Sequence, residues 1–193
     1  MHGFENFGIS ALLVAVAEMG DRTQLLTILL ATRYRRPLTI IAGVLVATIA
    51  NHALAALAGF YVSSFLDAPW FHYLIGASFI VMAGWVLIPD KQAAEGEAVS
   101  HRGVFLTTVI TFFIVEMGDK TQIATVALAA HYGTPLLVVA GTTIGMLLAD
   151  VPAVFVGNKF AAKIPMKLVH SIAAGMFFVM GVLTLIKADQ ILR

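Results

Sequence analysis

The sequence contains no cysteine in its 193 residues. That excludes a disulfide framework and a thiolate metal site, and it leaves the redox compartment unmarked. Charge is also scarce, at 12% of residues against roughly 25% in a soluble domain. The net charge is only +1, so nothing points to nucleic acid as a partner. The start of the chain, Met1-His2-Gly3-Phe4-Glu5, has no basic n-region. A cleaved signal peptide is therefore not expected, and the first apolar segment is expected to remain in the mature protein.

What the chain has in abundance is apolar surface: 60% of residues are hydrophobic, with a mean hydropathy of +0.92. Too few polar residues remain to face water, so an all-α integral membrane protein is expected. The apolar runs are long and rich in Ala and Leu, without the period-2 alternation of a membrane barrel. Six segments approach the roughly 20 residues a span needs: about 8–32, 38–64, 70–88, 103–131, 136–160 and 166–187. Arg33, Arg35, Arg36 and Pro37 separate the first two, and Asp67 and Pro69 the next two. Gly133-Thr134-Pro135 and Lys163-Ile164-Pro165 mark later turns. The longest polar stretch, 89–102, reads as a cytoplasmic linker between a first unit, 1–88, and a second, 103–193.

The two units repeat each other. Glu18-Met19-Gly20-Asp21-Arg22-Thr23-Gln24 returns 98 residues on as Glu116-Met117-Gly118-Asp119-Lys120-Thr121-Gln122. The same offset pairs Tyr34 with Tyr132, Pro37 with Pro135, Gly43 with Gly141 and Gly59 with Gly157. Each unit holds three expected spans. Three is odd, so the second unit enters the bilayer from the opposite side. Six transmembrane helices as two inverted three-helix repeats are the expectation, an architecture of secondary transporters. Eight basic residues (Arg33, Arg35, Arg36, Lys91, Arg102, Lys159, Lys163, Lys167) fall in or beside loops after odd-numbered spans, and two (Lys187, Arg193) on the other side. That bias puts those loops in the cytoplasm and both termini outside it.

Each motif places charge near the middle of a span. On a helix Glu18 and Asp21 share a face with Arg22, and Glu116, Asp119 and Lys120 likewise. Counting Asp150, five carboxylates and two bases lie at membrane depth. Each charge there costs about 2.5–3.5 kcal/mol on insertion scales. Unpaired, the seven would cost on the order of 20 kcal/mol, beyond the roughly 5–15 that stabilises a domain. They must face one another, water or a cation. Pairing Asp21 with Lys120 and Asp119 with Arg22 still leaves three acids. A divalent ion or protons relieve that surplus, and the competition between them is what an exchanger requires.

Carboxylate, amide and hydroxyl oxygens suit hard cations such as Mn²⁺, Ca²⁺ and Mg²⁺. Glu18, Asp21, Gln24, Glu116, Asp119 and Gln122 are the expected ion ligands. Arg22, Lys120, Thr23, Thr121, Asn51 and Asp150 are the expected gating or proton-coupling groups. Met19 and Met117 read as packing. Gly20 and Gly118 either let helices approach closely or let each helix break and present carbonyls to the ion. Pro152 kinks the fifth span beside Asp150. His52 reads as a hydrogen-bonded interior residue with proton relay as the alternative. His2, His72, His101, His131 and His170 fall near segment ends or in loops and carry no site expectation. Gly141 and Gly145 read as a tight helix contact.

Two copies of Glu-x-Gly-Asp-(Lys/Arg)-(Thr/Ser) in a chain of this size resemble the cation/proton antiporters that include the Golgi Mn²⁺/Ca²⁺ antiporters and a bacterial manganese exporter. The resemblance covers essentially the whole chain. It implies movement of Mn²⁺ or Ca²⁺ out of the cytoplasm, driven by protons moving in, with no resident cofactor. The family's motif positions are Glu18, Gly20, Asp21, Arg22 and Thr23, then Glu116, Gly118, Asp119, Lys120 and Thr121. The short chain looks bacterial, which favours manganese and a plasma-membrane location. A divalent-cation channel and an exporter of small organic cations or amino acids are the alternatives. An intramembrane enzyme is disfavoured, because no nucleophile or Zn²⁺ constellation accompanies the acids.

Overall fold

A computed structural model describes residues 2–65, 70–88, 103–156 and 165–192. Among these residues the structure is all-helical, with eight helices and no strand. They are α1 (His2–Glu18), α2 (Arg22–Tyr34), α3 (Pro37–Phe65), α4 (Trp70–Val86), α5 (Val104–Glu116), α6 (Lys120–Tyr132), α7 (Pro135–Val156) and α8 (Met166–Leu192). The expected linker 89–102 and the turn at Lys163-Ile164 lie outside the described residues, as does Gly157.

Among the described residues three helices are long and apolar enough to cross a membrane, over Pro37–Ser63, Pro135–Phe155 and Lys167–Gln190. Trp70–Val86 and Val104–Glu116 are apolar but shorter. The first and fourth expected spans are not continuous helices. Each is a pair of helices broken at the motif: α1 stops at Glu18 and α2 starts at Arg22, and α5 stops at Glu116 and α6 starts at Lys120. The cause is local. Gly20 sits at φ 82° and Gly118 at φ 78°, a left-handed geometry that costs other residues about 1–2 kcal/mol. Of the two readings of these glycines, the break is the one found. It also corrects the shared-face geometry for Glu18, Asp21 and Arg22, because the helical spacing ends between the two acids.

The motif's flanks are built alike in both halves. Asp21 and Asp119 occupy N-cap positions with extended backbones, neither using its side chain as a cap. The following helices end on a left-handed residue, Arg35 in one and Gly133 in the other. Pro37 and Pro135 then open α3 and α7 at the position where a missing N–H costs nothing. Buried Thr27, Thr125 and Thr142 return their hydroxyls to carbonyls one turn back, which satisfies them without water.

Helix α7 lies along α1 and α2, and α3 lies along α5 and α6. Helices α4 and α8 pack on each other, with α4 also against α6 and α8 against α1. No comparable contact joins α4 to α5 or α8 to α2 among the described residues. The expected Gly141–Gly145 contact is present between α7 and α1. A Cβ on Gly141 would lie 2.5 Å from the Phe7 carbonyl oxygen, and one on Gly145 would strike the Ala11 carbonyl. Backbone cannot yield as a flexible side chain does. Gly145→Val is therefore expected to destabilise the protein by about 1–3 kcal/mol through overpacking, read as a lowered melting temperature in detergent. Gly175→Ala, where nothing lies within 4 Å of the new carbon, should leave that temperature unchanged.

Candidate cation site

The two breaks meet at the centre of the bundle. Each has the same internal wiring. The Thr23 hydroxyl donates to Glu18 Oε2 at 2.7 Å, and the Thr121 hydroxyl to Glu116 Oε1 at 2.6 Å. The Gly20 N–H donates to Gln24 Oε1 at 3.0 Å, and the Gly118 N–H to Gln122 Oε1 at 2.6 Å. The glutamine after each aspartate thus holds the break by taking an N–H that helix termination leaves unpaired.

Cross-links then join the halves. Arg22 Nη2 reaches Asp119 Oδ1 at 2.8 Å, and Lys120 Nζ lies 3.7 Å from Asp21 Oδ1. Each base thus pairs with the acid of the other motif. The amide of Gln24 donates to the Ala149 carbonyl at 2.9 Å, and that of Gln122 to Asn51 Oδ1. Ala149 and Asn51 are the residues the 98-residue offset equates. The same position therefore supplies an acceptor in both halves, once from backbone and once from a side chain.

Glu18, Glu116 and Asp119 each offer a carboxylate oxygen, and these oxygens lie within 4.8 Å of one another. All three side chains are buried, with Glu116 wholly inaccessible. The second oxygens, Glu18 Oε1 and Glu116 Oε2, have no hydrogen-bond partner among the described residues. Three acids at such separation cannot all be ionised in a dry interior without a counter-charge. Two species can relieve that charge: a divalent cation, which takes several anionic oxygens together, or protons on the acids. The donor set is all oxygen. Met117 is exposed, so it is not the packed residue that the sequence reading expected.

Asp150 is buried nearby on α7, its Oδ1 3.1 Å from the Thr27 hydroxyl and its Oδ2 without a partner. Asn51 also donates to the Phe113 carbonyl at 3.4 Å. His52 is interior as expected, but among the described residues neither ring nitrogen has a hydrogen-bond partner, which corrects the hydrogen-bonded reading. Thr27 was not singled out from sequence. Its only signal is its place one helical turn beyond Thr23 on the same face of α2.

A family model described as "Divalent cation/proton antiporter GDT1" matches residues 6–94 and 104–191. A Vibrio cholerae protein named provisionally as a manganese exporter is 49% identical over 184 residues, covering 95% of this chain and 92% of its own. A GDT1-like protein of Synechocystis is 29% identical, covering 92% of this chain and 95% of its own. GDT1-like protein 5 of Arabidopsis thaliana is 26% identical, covering 94% and 96%. No solved structure matches. With the family model spanning nearly the whole sequence, the chain belongs to the GDT1 family of divalent cation/proton antiporters.

Proposed function

We propose that this protein exports Mn²⁺ from the cytoplasm in exchange for protons, with Ca²⁺ as a second possible cargo. The observation that carries the site assignment is the convergence of Glu18, Glu116 and Asp119, with partnerless oxygens on both glutamates. The name of the Vibrio cholerae relative favours manganese. In this reading the chain crosses a bacterial plasma membrane six times as two inverted repeats, 1–88 and 103–193. Each broken pair, α1 with α2 and α5 with α6, completes one crossing. Both termini face away from the cytoplasm.

The acids are the ligands: Glu18 and Glu116 from the helix ends, Asp21 and Asp119 from the breaks. Gln24 and Gln122 brace those breaks and add neutral oxygens. Arg22 and Lys120 hold the aspartates when the ion has left, and their release accompanies ion entry. Thr23 and Thr121 steer one oxygen of each glutamate, leaving the other for the ion. Asp150 and Asn51, reached through Thr27 and Gln122, couple α7 and α3 to the site, with Asp150 as the group that takes up and releases a proton. A dication and protons satisfy the same surplus charge, so each displaces the other. Binding one on each side of the membrane is the exchange.

The test is Mn²⁺ flux into sealed vesicles carrying the purified protein. An imposed pH step that drives protons outward should accelerate Mn²⁺ uptake and run down as the step dissipates. Abolishing the step with a protonophore should slow the flux. A channel would conduct at the same rate with or without the step, and that outcome would overturn the exchange reading. Uptake of an organic cation that Mn²⁺ fails to inhibit would overturn the metal reading.

A further inference from the structure

A cavity of about 450 Å³ opens where α1 and α4 begin, α6 ends and α8 nears its end. Accessibility falls along its walls. Glu5, His72 and Lys187 at the mouth are exposed, His131 and Met180 are half-buried, and Asn6 and Thr184 are buried. Glu5 and Lys187 oppose each other in charge. No cluster of metal-ligand atoms gathers in this lining among the described residues. The space is polar and open to one face of the bundle, but it is not built to hold an ion.

The same four helices continue inward as an apolar cluster. Leu13 on α1, Phe79 on α4, Leu128 on α6 and Phe177 on α8 are all wholly buried within it. Phe79 joins the two regions, with its ring edge-on to His131 at 6.0 Å and tilted against Phe177 at 6.4 Å. Phe79 and Phe177 are equivalents at the 98-residue offset, so each repeat supplies one ring to the same place. Helix rise puts this cluster between the cavity and the cation site. Along α1 come Ile9 in the cavity, Leu13 in the cluster and Glu18 at the site. Back along α6 come His131 in the cavity, Leu128 and Ala124 in the cluster and Thr121 at the site. At ~1.5 Å per residue, Glu18 lies about 14 Å beyond Ile9, and Thr121 about 15 Å beyond His131. Two helices running in opposite directions thus give the same depth.

We propose that this cavity is the ion vestibule on its face of the membrane, and that Leu13, Phe79, Leu128 and Phe177 form an apolar gate between it and the cation site, closed in this structure. The proposal rests on the antiporter reading for the site and for the face, which is the one away from the cytoplasm. None of the four side chains carries a nitrogen or oxygen. An ion crossing the cluster would shed its water and gain no ligand in return, so the closed cluster stops ions without touching the acids. An exchanger needs such a barrier, because a site open to both faces at once would leak. The two rings ride on α4 and α8, whereas Glu18 and Glu116 end α1 and α5. The gate can therefore part while the ligands stay in place. The opposed charges of Glu5 and Lys187 leave the mouth near neutral, so a released ion is not retained there.

The chain has no cysteine, so single cysteines along α6 read this barrier directly in sealed membrane vesicles. His131→Cys is expected to react with a membrane-impermeant thiol reagent applied from the face where α1 starts. Without Mn²⁺ or a pH step, Leu128→Cys and Ala124→Cys should react at least about 100-fold more slowly, since buried thiols are inert. Adding Phe79→Ala to Ala124→Cys should raise its rate by about tenfold or more. Exchange of Mn²⁺ for protons should also make Ala124→Cys reactive. Equal rates at positions 131 and 124 would overturn the gate, and protection of position 131 would overturn the vestibule. Unchanged protection of position 124 in a folded Phe79→Ala protein would remove Phe79 from the gate and overturn the proposal. If Phe79→Ala does not fold, protection of position 124 that persists during measured flux overturns it instead. Absence of all Mn²⁺ flux, with the resting pattern and the Phe79→Ala effect intact, would sink the antiporter reading and support the barrier. The two failures are therefore separable.

Discussion

Glu18→Gln is expected to reduce Mn²⁺ transport by at least about 100-fold, equivalent to about 2.7 kcal/mol, while the protein still inserts and purifies as a folded species. The substitution keeps the volume and the Thr23 contact at 2.7 Å but removes the negative charge. Glu18 Oε1 has no partner in the structure, so no internal hydrogen bond is lost with it. The structural cost is accordingly small, and neutralising a buried acid removes repulsion from Glu116 and Asp119. Melting temperature should hold steady or rise while flux falls. Glu116→Gln should behave alike, since its Oε2 is equally without a partner. Vesicle flux beside thermal denaturation checks both variants. A Glu18→Gln protein that moved Mn²⁺ at the parent rate would remove Glu18 from the site.

The second large effect concerns the helix breaks. Gly118 sits at φ 78°, and a Cβ placed on it meets nothing within 4 Å. Any effect of substitution therefore arises from backbone preference and not from crowding. Asn tolerates the left-handed region, whereas a β-branched residue there is a genuine outlier. Gly118→Asn is expected to keep transport within a few-fold of the parent. Gly118→Val is expected to abolish it, because straightening α5 into α6 withdraws Asp119 from Glu18 and breaks the Gly118–Gln122 hydrogen bond. Equal activity in the two variants would show that the break is dispensable.

Much of this centre was legible in the sequence because charge in an apolar run is conspicuous. Asp21 with Lys120 and Asp119 with Arg22 were available as pairs from charge alone, and both contacts occur. The break was only half legible. Glycine between two acids serves close packing or a turn, and nothing local decides between them until the φ values are known. Taking the helix as continuous put Glu18 and Asp21 on one face, which the positive φ of Gly20 prevents. Thr27 was missed because a threonine in a membrane helix usually bonds its own backbone. Here it does so and also meets Asp150.

The lopsided seating of α4 and α8 has a consequence for energetics. Helix α4 leans on α6 and α8 on α1, and among the described residues α5 and α2 have no comparable cover from them. Yet the motif halves are near-duplicates in sequence, so trading the roles of the duplicated partners would build much the same contacts from much the same residues. A see-saw whose ends weigh almost alike needs little to tip it. In the antiporter reading proposed above, occupancy of the acids in the middle, through the two exchanged ion pairs that straddle them, supplies that push.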